Sequence, residues 1–170
     1  MIEKISRIYL EIKSIKNLKE VKKPEGKYSL NAVKPSDFQL NKFLYKQIGQ
    51  KYFWRDRLDW SDQVWIRYVS DKKLHTYLLK DHKEVVGYFE LIVHKDTNEA
   101  EIVYFGILED YFGKRLGGYL LSQAIKEAFK LNINRVWLHT CSLDHKNALK
   151  NYLSRGMIIF KSETIKTKIA

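Results

Sequence analysis

Three glycines set the first chemical possibility in this chain. Gly113, Gly117 and Gly118 surround Lys114, Arg115 and Leu116 at the point where a β-rich run, Glu101 to Ile107, gives way to a helical pattern. Main-chain N–H groups in the first turn of a helix have no intrahelical partner and point outward at the positive end of the dipole, so a phosphorylated ligand can dock there. Glycine lets such a ligand approach the backbone, and Arg115 could meet a phosphate through its guanidinium. A second possibility lies in Tyr52-Phe53-Trp54-Arg55-Asp56-Arg57-Leu58-Asp59-Trp60, a segment too aromatic and too charged for an ordinary solvent loop. Trp54, Arg55, Asp56, Arg57 and Asp59 could grip a polar substrate by stacking and ion pairing. Alternatively, the aromatics close the core while Arg55 or Arg57 pairs internally with Asp56 or Asp59.

The elements that must position these residues are legible in part. Leu116, Leu120, Leu121, Ala124, Ile125 and Ala128 recur at helical spacing with Lys126, Glu127 and Lys130 opposite them, so the glycine turn opens a half-buried helix. Upstream, residues 28–33 read as a strand, 36–48 as a helix capped by Ser36, and 61–69 as a second helix. Residues 74–79 and 85–93 read as strands, and Asp96-Thr97-Asn98 turns the chain into the strand that ends at Ile107. Downstream, 136–141 reads as a strand and 144–155 as a helix with Asp144 as N-cap and Gly156 as its stop. In residues 1–26 the isoleucines fit a helix, yet Ile8, Leu10 and Ile12 also fit a strand, and the pattern does not arbitrate.

This order resembles the GNAT superfamily of acetyl-CoA-dependent N-acetyltransferases. The resemblance rests on two segments. In the glycine turn, Gly117 matches the final small residue of the family's Gln/Arg-x-x-Gly-x-Gly/Ala motif and Gly113 a frequent extra glycine. Phe112 stands at the Gln/Arg position and Arg115 at the first glycine, where it must avoid the φ values that only glycine adopts easily. In the second segment Ala148, Tyr152 and Gly156 are in register with the family's Ala-x-x-x-Tyr-x-x-x-Gly-Phe, Met157 replaces the Phe, and His145 takes the place of a cofactor-contacting Asn, with Asn147 one helical step away. Together they cover roughly residues 73–163. A subset of GNAT-like proteins also shares the Trp54-Arg55-Asp56-Arg57 run.

The resemblance implies an α/β fold, with a central mixed, mostly antiparallel sheet flanked by helices, in one domain over 1–170 whose first 26 residues form an extension of open structure. It implies acetyl-CoA as cosubstrate, contacted at Phe105, Gly106 and Ile107 and at Phe112 to Gly118, with His145 and Asn147 nearby. The segment Ala100-Glu101-Ile102-Val103 is similar to the strand that bears the general-base Glu of the superfamily's histone acetyltransferases, which makes Glu101 the expected base and Glu90 the reserve. Tyr152 matches the tyrosine that protonates the departing thiolate. The implied activity is direct acetyl transfer to a primary amine, small-molecule or peptide. The departures at Phe112, Arg115 and His145 leave open a non-catalytic coenzyme A-binding or basic interaction module.

Composition sets limits. The chain has 170 residues, 45% apolar and 14% aromatic, which suits a single globular core. No stretch reads as a membrane span or a secretory signal, so a cytoplasmic protein is expected. A lone Cys141 excludes an internal disulfide and reads as a small buried hydrophobe rather than a nucleophile. The histidines, 75, 82, 94, 139 and 145, show no metal-ligand spacing, and no metal is expected. The net charge of +11 is spread rather than clustered, which argues against a nucleic-acid surface and favours steering of a polyanionic cosubstrate. A C2 homodimer is the default expectation for oligomeric state.

Overall fold

The structure, a computed structural model, describes residues 1–168; the last two residues of the expected 1–170 unit lie outside the described residues. Seven strands form one sheet: β1 (Ile2–Ile12), β2 (Tyr28–Ala32), β3 (Leu74–Asp81), β4 (Glu84–His94), β5 (Glu99–Ile107), β6 (Arg135–Cys141) and β7 (Ile158–Lys168). Four α-helices accompany them: α1 (Phe38–Gly49), α2 (Asp62–Val69), α3 (Leu116–Phe129) and α4 (Ala148–Ser154). The strand order is β2-β3-β4-β5-β6-β1-β7, and every pairing is antiparallel except β5 with β6.

The helical stripe of α3 is the reason for one core. Leu116, Leu120, Leu121, Ala124, Ile125 and Ala128 are buried against Phe89, Leu91, Ala100, Ile102, Val136 and Leu138 of the central strands. A fully buried leucine of this kind contributes about 1.5–3 kcal/mol, so Leu120→Ala is the single change that would loosen this layer most directly. On the other face α1 and α2 cover β3 to β5, where Leu44, Ile48, Leu78 and Tyr88 make a second cluster beside buried Tyr45 and Trp65.

The N-terminal ambiguity resolves in favour of a strand because period two matches what β1 must bury. Leu10 and Ile12 join the α3 core, with Ile8 packed against it, while Ile5 and Arg7 face the other side. β1 lies between β6 and β7 and pairs with both, Leu10 opposite Leu138 on one side and Ile5 opposite Ile165 on the other. Of the residues 1–26 that read as an extension, Ile2–Ile12 are thus part of the sheet.

Two helix starts differ from the sequence reading. Asp37, not Ser36, caps α1: its carboxylate accepts from the Leu40 N–H at 3.1 Å. Asp144 does not cap α4, which begins after Asn147; its carboxylate instead accepts from the Thr140 hydroxyl and from the Cys141 N–H at 3.1 Å, fastening the loop back onto the end of β6. Gly156 stops α4 as expected, at φ +99°.

Candidate active site

β5 and β6 run parallel and pair only over Glu99–Glu101 against Arg135–Trp137. Beyond that point they part, β6 staying with β1 and β5 with β4. β5 also carries one extra residue: Glu90 stands opposite Tyr104 and Leu91 opposite Ile102, leaving Val103 as a bulge. The edge of β5 from Ile102 to Ile107 therefore meets no strand on the β6 side, and its main-chain groups are available to a ligand. A cavity of about 1020 Å³ occupies the gap.

At one end of the cavity the backbone turns into α3. Gly113 adopts φ +80° with open space where a side chain would be, and Arg115, at φ +61°, is the N-cap residue of α3. The expectation that Arg115 avoids the left-handed region is thus corrected: the turn needs that conformation, and the chain places an arginine in it, a local cost of order 1 kcal/mol. No side chain caps α3, so its first N–H groups remain for an anion. Gly118 serves packing instead, since a methyl there would stand 2.5 Å from Arg155 Nη1 and 2.9 Å from Val21.

Of the residues assigned to the cosubstrate, Phe105, Gly106, Ile107, Phe112 and Gly113 line the cavity, as do Arg115, Leu116, Gly117, Gly118, His145 and Asn147. Lys114 does not; its ammonium lies 5.2 Å from the centre of the Tyr111 ring. His145 is wedged edge-on between Phe112, at 5.2 Å, and Tyr52, at 5.9 Å, and its Nδ1 accepts from the Asn147 N–H at 3.0 Å. Two of the departures from the family pattern, Phe112 and His145, thereby form one aromatic wall with Tyr52. Asn151 ties α4 to α3 by donating to the Gly117 carbonyl at 3.1 Å.

Glu101 lies where the strands part, 15% exposed, with its carboxylate 3.0 Å from His94 Nε2; His94 in turn stacks on Trp137. Tyr152 projects from α4 into the cavity beside Phe105. Burial, then the charges of Asp144 and Cys141, hold its phenol well above the usual tyrosine range, so it stays protonated. Cys141 is half-buried rather than buried and lines the cavity, its thiol raised by burial and by Asp144.

The aromatic and charged segment from Tyr52 to Trp60 divides. Trp54, Arg55 and Asp56 line the cavity, with Trp54 packed on Tyr104 at 4.4 Å and Asp56 accepting from the Tyr45 hydroxyl at 2.9 Å and from Tyr104. Arg57 and Asp59 do not line it. Arg57 is 3% exposed and pairs with Glu90, which is fully buried; the internal partner is thus Glu90, not Asp56 or Asp59. The reserve base Glu90 is out of reach for the same reason: Arg57, Tyr68 and Asn41 surround its carboxylate beneath α1.

Several lining residues escaped the sequence reading. His139 follows from the alternation of β6, where Val136, Leu138 and Thr140 are buried and His139 faces the cavity. Burial and the charge of Arg7 lower its pKa, against Glu101, Asp144 and Asp56, which raise it. Arg7 and Ile5 of β1, with Ile165 and Thr167 of β7, form the far wall. Among the described residues there is no group of three or more His, Cys, Asp or Glu suited to a metal, and no helix is long and apolar enough to cross a membrane.

The fold recurs in solved proteins. A GCN5-related N-acetyltransferase from Sphaerobacter thermophilus superposes with a TM-score of 0.73 at 13% identity, over 95% of this chain and 50% of that one. One from Kribbella flavida gives 0.68 at 16% identity, over 97% and 58%. The chain thus spans half to three-fifths of the length of these two proteins. The ribosomal-protein-S18-alanine N-acetyltransferase from Escherichia coli gives 0.59 at 18% identity, over 76% of each chain. No curated protein matches at the sequence level. The family profile described as acetyltransferase (GNAT) matches residues 39–157, a span from α1 to the residue before β7 that includes the parted strands, the glycine turn and Tyr152; the chain belongs to the GNAT family of acetyltransferases.

Proposed function

We propose that this protein transfers an acetyl group from acetyl-CoA to a primary amine by direct attack within a ternary complex. The observation that carries this reading is the parting of β5 and β6 after Glu101, which opens an unpaired strand edge onto a cavity with an anion-receptive helix start at one end and ionisable side chains at the other. A long cosubstrate with phosphates at one end and a reactive group at the other fits those features. Arg115 and the first N–H groups of α3 would hold the phosphates, and the β5 edge from Phe105 to Ile107 would align the chain between them and the reacting group.

Acetyl-CoA supplies an acetyl group activated as a thioester. Glu101 accepts the proton of the attacking amine, directly or through water, and its contact with His94 fixes the carboxylate. The Tyr152 hydroxyl, kept protonated by its surroundings, gives its proton to the departing sulfur. N–H groups of the β5 edge polarise the carbonyl. The rings of Phe112, His145 and Tyr52 shield the channel from water on one flank. Trp54 and Asp56 face the same cavity and would receive the amine, Asp56 as a counter-ion.

Initial rates of thiol release over a library of primary amines test the reading. Glu101→Gln and Tyr152→Phe are each expected to lower kcat by about 10²-fold or more on any accepted amine. Unchanged rates in both variants would contradict the assigned roles.

A further inference from the structure

The far wall of the cavity holds a cation, Arg7, whose side chain is 32% exposed and whose Nε is buried. Arg7 projects from β1 on the face opposite α3, since Leu10 and Ile12 occupy the α3 side. Among the described residues its one ion pair is long, 3.9 Å from Glu163. Glu163 is otherwise engaged, accepting from the Tyr9 hydroxyl at 2.6 Å and lying 3.6 Å from Lys161. Arg7 Nε is shut away from water and has no hydrogen-bond partner among the described residues. A guanidinium presents five N–H donors in a rigid fork, and a buried donor left unsatisfied is costly unless something fills it.

The surroundings say what that something is. Arg7 lines the same cavity as Glu101, Asp56 and His139, flanked by apolar Ile5 and Ile165. Apolar walls strengthen a charge-assisted pair and favour the bidentate geometry in which guanidinium meets carboxylate. The phosphate-receptive turn at Gly113 to Arg115 follows β5, two strands away from β1 and at the N-terminus of the helix on the other face. Arg7 is therefore not part of that cradle. Three carboxylates, Asp56, Glu101 and Asp144, bear electrostatically on His139 from around the cavity. They would repel a dianion but balance an ammonium, so a singly charged anion attached to an amine suits the mixed field.

From this we infer that Arg7 is a specificity-determining residue and that the acceptor is amino-acid-like, a small amine that also bears a carboxylate. The inference rests on the amine acetylation proposed above and narrows its substrate class. The amine lies toward Glu101 and Asp56 while the carboxylate takes the Arg7 fork.

The test is a ladder of unbranched amino acids with two to six carbons, each paired with its carboxamide and with the phosphonate of equal length, assayed for kcat/KM with acetyl-CoA on the full chain. The wild type is expected to prefer the carboxylate member over its amide by about 10- to 100-fold at one favoured length. Arg7→Gln should collapse that ratio toward one, and Arg7→Lys, which keeps the charge without the fork, should retain part of it. In parallel, the thermal midpoint with saturating coenzyme A should rise with the favoured amino acid in the wild type and not in Arg7→Gln. Turnover with no carboxylate preference, a preference unchanged in Arg7→Gln, or a preference for the phosphonate would overturn the assignment while leaving amine acetylation standing. Absence of turnover on every amine, with the carboxylate-specific midpoint shift intact, would instead overturn the enzymatic reading and keep Arg7 as a carboxylate site; absence of both would overturn Arg7 as well.

Discussion

The Arg57 guanidinium lies 2.9 Å from the Glu90 carboxylate, both groups buried. Tyr68 bonds to both members, at 2.7 Å from Arg57 Nη2, and Asn41 donates to Glu90 at 3.3 Å. The guanidinium also sits 4.2 Å from the Tyr68 ring centre and 4.4 Å from that of Tyr104. Because Trp54 and Asp56 precede Arg57 by three residues and one, this buried pair anchors the segment that carries these two cavity-lining side chains.

Breaking the pair by removing one partner leaves an uncompensated buried charge. Arg57→Met or Glu90→Leu alone should lower stability by about 3–5 kcal/mol, roughly 6 to 20 °C in thermal midpoint for a chain of this length. The double variant should recover much of that loss, because it leaves no lone charge. Thermal unfolding of the three variants decides the matter, and a loss under about 1 kcal/mol in both single variants would contradict it.

Tyr152 should not limit activity on the alkaline side. Its pKa is raised above the ordinary 10.0, so the hydroxyl keeps its proton throughout the usual assay range. The profile of kcat against pH should show no fall assignable to this phenol below about pH 10, and a Tyr152→Phe enzyme should show the same alkaline limb at a lower rate. An alkaline fall near pH 8 that vanishes in Tyr152→Phe would contradict the assignment.

The pKa of His139 is lowered from its ordinary 6.5 because partial desolvation in the cavity wall and the Arg7 charge disfavour the imidazolium. The unfolded chain then binds the proton more readily than the folded one, so stability rises with pH across this window. The contribution is complete above about pH 6.5 and is lost as pH falls through the folded pKa. His75, lowered by burial and Lys34, acts in the same direction. Chemical unfolding at pH 8 and pH 5 should show a smaller acid loss in His139→Gln than in the wild type, and a proton-detected titration should place the His139 midpoint below 6.5.

The left-handed turn before α3 gives a prediction in which stability and binding part company. Arg115→Gly removes backbone strain at φ +61° and should raise stability by about 1 kcal/mol, while coenzyme affinity falls because the guanidinium is lost. Gly113→Ala, at φ +80° with no neighbour within 4 Å of the added methyl, should cost about 1 kcal/mol through the backbone alone. Calorimetry on both variants, with and without acetyl-CoA, separates the two effects.

The strand-turn-helix of β5 and α3 was legible because its signals are local: a period of 3.6 from Leu116 to Ala128 and glycines at the turn. The same holds for Gly156 and the α4 register. What depended on pairing between distant segments was not legible. The place of β1 between β6 and β7 requires knowing that Leu10 meets Leu138, and Arg7 became a site residue only through that placement. An internal pairing of Arg57 was legible as an alternative, but with Asp56 or Asp59 as partner; Glu90, the reserve base, lies 33 positions away, and no local spacing signals that the two neutralise one another. His139 was visible in principle, since strand alternation sets it opposite Leu138 and Thr140, but only the parting of β5 and β6 turns that face into a cavity wall. Arg115 shows the limit of reasoning from residue type, for the turn geometry overrides an arginine's own preference.

The most direct test of the central claim, that the gap between β5 and β6 holds acetyl-CoA, is the thermal midpoint of the full chain titrated with acetyl-CoA, with ATP and free adenosine diphosphate as controls. A ligand bound only by the folded state at 100 times its Kd adds about 2.7 kcal/mol, so the expected result is a saturable rise of roughly 5 to 11 °C, specific to the coenzyme and weakened in Arg115→Gly. A midpoint that does not move with acetyl-CoA, or moves equally with the nucleotide controls, would contradict the claim.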